Sequence, residues 1–298
     1  MKYFKTKSGL EVPPIGLGTF PLQCNDMADA VKKCLEVGYR LIDTSDDYRG
    51  EGGIGLAVDD LSSVKLKRED IFLQTKVTDD DSYDDESLTG IYFNPNSKYM
   101  QRHSVEEVVK GKVENSLYSM HTDYIDSLLI HQPYPYYFVD IWKVFIKLRE
   151  EGVVRHIGVS NFHKRHIDQL IKETGVIPEI NECYASPIAT KESLVEYCNN
   201  IGCLFMTYSP LKDLVGHRIS EVSLLPMMEK YGKSIAQLIL RWNIERGCMP
   251  LPKSSSLKRL SENFDVFDFA LTKEEVATIS AMNIDYQLLV ESKICAGL

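Results

Sequence analysis

An aspartate, a tyrosine, a lysine and a histidine, each placed where a short apolar run stops, could together move a proton onto a carbonyl oxygen. Asp43 closes the run "RLID", and Tyr48 follows five positions later in the acidic loop "TSDDYRGE". Lys76 stands near the end of "DIFLQTKV", and His131 comes directly after "YIDSLLI". A free tyrosine, with a pKa of about 10, donates poorly, but an adjacent ammonium stabilises its phenolate and makes it more acidic. Lys76 carries that charge. Asp43 can pair with the lysine and keep it protonated in a partly buried site. His131 offers a hydrogen-bond donor to a carbonyl oxygen, where negative charge grows during reduction. Taken singly, each has a structural explanation, since ion pairs at strand ends and buried histidines are common and Tyr48 is one of 16 tyrosines. Their joint placement on successive strand ends is what points to a site.

The elements that must carry these residues are legible as a repeating pattern. Short β-rich runs recur as "PPIGLGT", "RLIDT", "DIFLQTKV", "YIDSLLIHQ", "VRHIGVSN", "IPEINECY", "CLFMTYSP" and "CMPLPKS". Between them lie stretches with apolar residues every three or four positions, as at 31–37, 105–117, 138–148 and 235–244. Strands alternating with helices over 298 residues predict an α/β chain folded as a single (β/α)₈ TIM barrel domain over 1–298. Chemistry in such barrels sits at the carboxyl ends of the strands. Ahead of the first strand, "YFKTKSGLEVPPIG" reads as a β-hairpin turning at Ser8 and Gly9, placed to plug the barrel floor.

Bulk properties exclude other classes. A net charge of -9 argues against a nucleic-acid partner, which would need concentrated Lys and Arg. The start "MKYFKTKSGL" lacks the apolar core of a signal peptide, and no run is long enough to span a membrane, so the chain is read as cytoplasmic. Seven cysteines, odd in number, scattered and never in a C-x-x-C pair, are read as reduced thiols rather than disulfides or zinc ligands. A metal-dependent hydrolase would need clustered His and carboxylate ligands, and only His131 and Asp43 are suitably placed, so no metal is expected.

Two segments compete for a dinucleotide. "GEGGIG", residues 50–55, matches G-x-G-x-x-G, but Asp46, Asp47 and Glu51 would repel a pyrophosphate there, and these glycines are read as packing positions. In "PKSSSLKRLSEN", Lys253 and Arg259 are six apart with hydroxyls between them, a set able to grip a 2′-phosphate that NAD lacks.

The order and spacing of "DTSDDY", "LQTKV", "LIHQP", "GVSNF" and "LPKSSSLKRLSEN" closely resemble the aldo-keto reductase family over almost the whole chain. That resemblance implies a catalytic tetrad of Asp43, Tyr48, Lys76 and His131, with Tyr48 as general acid while NADPH delivers hydride to the carbonyl carbon. It assigns Lys253, Ser254 and Arg259 to the 2′-phosphate, with Ser255 beside them, and Glu262 and Asn263 to the adenine. Tyr208 matches the ring that stacks on the nicotinamide, Ser209, Pro210 and Leu211 the pyrophosphate contacts, and Ser160 and Asn161 the carboxamide contacts. Gly18, Thr19, Phe20 and Asp43 complete the cofactor set. The implied partner is a small-molecule carbonyl compound, and the implied assembly a monomer or weak homo-oligomer.

Several positions depart from the family's pattern. Glu182, in "INECY", stands where a carboxamide-binding glutamine is usual, and its charge would favour NADP⁺ over NADPH. Phe20 and Gln132 stand where tryptophan is common and Asp47 where a small apolar residue is frequent. With Tyr48 and His131 they would line a less aromatic, more acidic substrate pocket. A segment as long as residues 78–104 is usually a functional lid or a disordered stretch, and its Tyr92, Phe93 and Tyr99 are expected to approach the mouth. The short segment "KDLVGHRIS" should leave the cofactor open to solvent. A second class of function, a cofactor-binding regulatory or interaction protein on the same fold, is disfavoured by the complete tetrad.

Overall fold

The computed structural model describes residues 3–6, 8–78, 100–220 and 222–288. The aromatic side chains of Tyr92, Phe93 and Tyr99 lie outside them. Strands β1 (Phe4–Lys5) and β2 (Glu11–Val12) form an antiparallel hairpin. Its turn passes through Gly9, whose φ of 93° belongs to glycine.

Eight strands follow: β3 (Leu17–Gly18), β4 (Leu41–Asp43), β5 (Phe72–Val77), β6 (Ile125–Ile130), β7 (Val154–Ser160), β8 (Ile180–Tyr184), β9 (Leu204–Tyr208) and β10 (Cys248–Leu251). Each pairs in parallel with the next in sequence. Gly16 N donates to Pro250 O and Gly18 N to Pro252 O, both at 3.2 Å, and these bonds bring the first strand back to the last. Each of the eight β-rich runs read from the sequence contains one of these strands.

Helices fill the connections: α1 (Cys24–Val37), α2 (Glu51–Asp59), α3 (Val105–Ser119), α4 (Phe138–Glu150), α5 (Lys164–Thr174), α6 (Glu192–Ile201), α7 (Lys212–Val215), α8 (Leu225–Tyr231), α9 (Ile235–Glu245), α10 (Leu257–Phe264) and α11 (Lys273–Ser280). Their apolar stripes fix which face meets the barrel. In α4, Phe138, Ile141, Trp142, Phe145 and Leu148 recur every three or four residues and are all buried. Helix α3 starts at Val105 because Ser104 and Glu107 cap it reciprocally: the Glu107 amide donates to Ser104 Oγ at 3.2 Å and the Ser104 amide to Glu107 Oε2 at 2.7 Å. Three of the four glycines of "GEGGIG", Gly50, Gly53 and Gly55, are packing positions, while Gly52 faces open space. A Cβ on Gly53 would collide with the Cys24 carbonyl, and one on Gly55 with the Ser119 carbonyl.

Period-two alternation divides each strand between helix layer and lumen. Along β5, Leu73 and Val77 join the helix-facing core and Thr75 Oγ1 donates to Glu51 of α2 at 2.7 Å, whereas Gln74 and Lys76 turn inward. The lower lumen is apolar. Leu10 and Val12 of the hairpin pack there with Leu41, Leu129, Ile180, Leu204, Met206, Met249 and Leu251. The hairpin therefore closes the floor, and polar side chains occupy the lumen above it. Truncating the plug by Leu10→Ala should cost about 2–5 kcal/mol of stability, read as a lower urea midpoint with unchanged slope. An unchanged midpoint would show that the hairpin does not seal the floor.

Candidate active site

Asp43 ends β4, Lys76 is the next-to-last residue of β5, His131 follows β6 and Ser160 ends β7. Tyr48 sits on a 3₁₀ turn, Asp46–Tyr48, whose first amides are capped by the Ser45 hydroxyl accepting from Asp47 N. The structure brings the four sequence-predicted groups into contact with one another. Lys76 Nζ donates to Asp43 Oδ1 at 2.6 Å and to the Thr44 carbonyl at 2.9 Å. The same ammonium lies 5.5 Å from the centre of the Tyr48 ring, whose centroid is 5.8 Å from that of His131. Phe20 leans on the other side of Tyr48 at 5.1 Å and is 62% exposed, at the rim.

A fifth group, Glu182 of β8, joins from across the lumen. Its Oε1 is 3.3 Å from Lys76 Nζ, and Gln74 Nε2 donates at 2.9 Å both to Glu182 Oε2 and to Asp43 Oδ1. Asp43, Lys76 and Glu182 are only 3%, 1% and 1% exposed, so these charges answer one another rather than water. Burial works against the Lys76 ammonium, but Asp43 and then Glu182 outweigh it and hold the group above its ordinary pKa. Burial, and next the charge of Asp43, push Glu182 up to about 8 against the pull of Lys76. The sequence anticipated Glu182 as an unusual residue but not its pairing with Lys76. The signal available was the shared inward parity of Gln74 with Lys76 and of Glu182 with Ile180.

The phenol differs from the simple expectation. Burial raises the Tyr48 pKa above its ordinary value; Lys76 pulls it back, as anticipated, but Asp43, Glu182 and Asp47 add to the rise. The group therefore stays fully protonated at neutral pH, which loads it as a donor. Burial, helped by the Lys76 charge, lowers the His131 imidazole to about 3, so this ring is neutral.

Eight parallel strands with a hairpin across the floor match the architecture of one described group of proteins. The "Aldo/keto reductase family" profile matches residues 14–215 and 223–284. The chain belongs to the aldo/keto reductase family. It is 33% identical over 282 residues to a glyoxal reductase of Bacillus subtilis, covering 94% of this chain and 92% of the relative. Identity is also 33%, over 281 residues, to the methylglyoxal reductase DkgA of Escherichia coli, with 94% and 92% covered. Among solved structures, a Bombyx mori aldo-keto reductase in complex with NADP superposes with a TM-score of 0.83 at 29% identity, covering 98% of this chain and 95% of that one.

Further round the rim of this aldo/keto reductase lie the residues singled out for a cofactor. Ser160 Oγ donates to the Glu182 carbonyl at 2.9 Å, and Asn161, at φ 62°, donates through Nδ2 to the His131 carbonyl at 3.1 Å. Tyr208 OH donates to Asn161 Oδ1 at 3.0 Å, tying the ends of β7 and β9 together. Ser209 takes a φ of 52°, turning the chain sharply after β9 through Pro210 and Leu211 into α7. Asp213, buried in α7, accepts from the Tyr184 hydroxyl and pairs with Arg218 at 3.0 Å, pinning this short segment. Thr19 Oγ1 donates to the Asp43 carbonyl at 2.8 Å, and a Cβ on its neighbour Gly18 would meet Leu251 O at 2.7 Å.

After β10, Lys253 is exposed, Ser254 is buried, Ser255 is half-buried and Arg259 projects from α10 with Nε 3.4 Å from Ser254 Oγ. Glu262 accepts from Ser234 Oγ at 2.5 Å, and Asn263 is buried. Asp47 is exposed and Gln132 half-buried at the mouth. No helix of the described residues is long and apolar enough to cross a membrane.

The raised pKa of Glu182 has a definite consequence for stability. An unfolded glutamate titrates near its ordinary 4.5, the folded one at about 8. Between these values the folded chain holds a proton the unfolded chain has released, so the contribution to stability is full below about 4.5 and is lost as pH rises through about 8. Glu182→Gln removes this dependence. Its melting temperature should gain on the wild type by a few degrees between about pH 5 and 9, one kcal/mol being worth on the order of 2–4 °C in a large domain. A gap independent of pH would contradict this account.

Proposed function

We propose that the chain is an NADP-dependent oxidoreductase that reduces an aldehyde or ketone to an alcohol, with Tyr48 as general acid. The observation that carries this reading is the Tyr48 phenol set beside a fully buried, doubly paired Lys76 ammonium, with the neutral His131 ring also against it. Bound at the strand ends, NADPH would supply the hydride for the carbonyl carbon. The residues present fit that cofactor. Lys253 and Arg259 are exposed cations with no ion pair to the described residues, and with Ser254 between them they form a donor set suited to a phosphate ester. Tyr208, Ser160 and Asn161 would address the nicotinamide, and Ser209 to Leu211 the pyrophosphate. Glu262 and Asn263 would contact the adenine.

This chain's own side chains perform the proton half of the reaction. His131 and Tyr48 orient the carbonyl oxygen between them, and the phenol releases its proton to that oxygen as negative charge develops there. Lys76 stabilises the phenolate left behind. Asp43 keeps Lys76 charged in a setting where burial alone would neutralise it. The relatives' names, glyoxal and methylglyoxal reductase, support a small dicarbonyl substrate, and the rim of Phe20, Asp47 and Gln132, with few aromatic rings, suits a polar compound. Pinned through Asp213, the short segment after β9 supports a pyrophosphate site open to solvent.

Tyr48→Phe should lower kcat/KM for NADPH oxidation with methylglyoxal and other aldehydes by about 10²–10⁴-fold while sparing NADPH binding. Undiminished turnover in that variant would remove Tyr48 from the mechanism. Glu182→Gln should lower the preference for NADP⁺ over NADPH, by more at pH 9 than at pH 6.5, because the carboxyl ionises at about 8. Titrating both cofactors into both proteins checks this, and an unchanged affinity ratio rejects it.

A further inference from the structure

A neutral imidazole carries one N–H, and which nitrogen bears it decides whether His131 can donate to a carbonyl oxygen. The ring's Nδ1 is held by two hydroxyls. Thr78 Oγ1 is 2.6 Å from it and Ser45 Oγ 3.2 Å, and the hydroxyls are 2.8 Å from each other. Neither is a surface residue: Thr78 is 7% exposed and Ser45 fully buried.

Two polarities of this chain are chemically possible. In one, the Asp47 amide donates to Ser45 Oγ at 3.4 Å, Ser45 donates to Thr78, and Thr78 donates to Nδ1. In the other, Nδ1–H donates to Thr78, Thr78 to Ser45, and Ser45 to Asp46 Oδ1 at 3.3 Å. The outer links are long in both, 3.4 Å in the first and 3.3 Å in the second, and do not separate them. Both polarities share the two short links, and the 2.6 Å between Thr78 Oγ1 and Nδ1 is shorter than an N–H donor normally closes on an oxygen, so it suits a hydroxyl donating to a bare ring nitrogen, as in the first.

We propose that Thr78, backed by Ser45, is a positioning residue that holds His131 in the tautomer protonated at Nε2, so that this N–H is the one offered to the substrate's carbonyl oxygen. Its purpose rests on the reductase reading; the tautomer itself does not. Thr78 is continuous with β5, two residues beyond Lys76. One strand thus supplies both the ammonium beside the phenol and the hydroxyl behind the imidazole.

The test is a two-bond ¹H–¹⁵N spectrum of the full chain labelled with ¹⁵N-histidine, without substrate, with the His131 signals assigned by their loss in His131→Gln. The unprotonated ring nitrogen resonates well apart from the protonated one, so the pattern names the tautomer directly. We expect the wild type to show Nδ1 bare and Nε2 protonated. Thr78→Val, which keeps the shape and removes the hydroxyl, should populate the Nδ1–H form and lower kcat about tenfold, the equivalent of one hydrogen bond, with the KM for NADPH unchanged. Thr78→Ser should restore both. A wild-type spectrum with Nδ1 protonated overturns the proposal, as does a folded Thr78→Val protein with the wild-type pattern. Should Thr78→Val not fold, the wild-type spectrum and Ser45→Ala still decide, the latter by a mixed tautomer. If the spectra behave as expected while the wild type reduces no carbonyl compound, the reductase reading fails and the tautomer assignment stands.

Discussion

A single buried ammonium organises the catalytic end of this barrel. Lys76 has almost no contact with water, and its charge persists only because Asp43 and Glu182 face it from opposite strands, with the Thr44 carbonyl completing its donors. Removing one partner of a buried pair is far more damaging than never having built it, because the remaining charge is left uncompensated. The phenol and the imidazole both feel this ammonium: it pulls the Tyr48 pKa down and helps to keep His131 neutral. Two carboxylates around one cation would still leave net negative charge in the lumen. The readiness of Glu182 to hold a proton relieves that excess, while Gln74 bridges both acids with one amide nitrogen.

The fold provides what such a cluster needs. Side chains at strand ends inherit the rigidity of the sheet, and the alternation of inward and outward residues puts Gln74 and Lys76 on one side of β5 and Thr75 on the other. Below them, the hairpin and the aliphatic side chains around it exclude water from the floor. That exclusion strengthens every electrostatic interaction above it. It is also why so few polar groups suffice to define the site.

Much of this was readable from the sequence because it rests on local rules. The strand runs carry β-branched residues and stop at polar ones, Ser104 and Glu107 form a recognisable cap, and Ser8-Gly9 marks a turn. Asp43, Lys76 and His131 were legible as residues that break apolar runs. Less legible were the relations between strands. That Glu182 faces Lys76 across the lumen depends on barrel stagger, which no single segment encodes. The role of Ser45 and Thr78 was hidden for a similar reason: hydroxyls are common, and these two acquire meaning only when β4 and β5 bring them to the back of His131. The net direction of the Tyr48 shift, upward and not downward, was not legible because burial, the largest influence, is a property of the assembled site.

The joint between the first and last barrel strands bears on how the molecule is made. Gly16 and Gly18 bond to Pro250 and Pro252, and at Gly18 only a residue without a side chain lets the two backbones meet. During synthesis the residues that flank the phenol leave the ribosome long before their partners across this joint. Until the late segment arrives, the half-made cylinder lies open along one side and the lumen that buries Lys76 is incomplete. The dry setting of Lys76 and Tyr48 is thus complete only when the ring itself is complete.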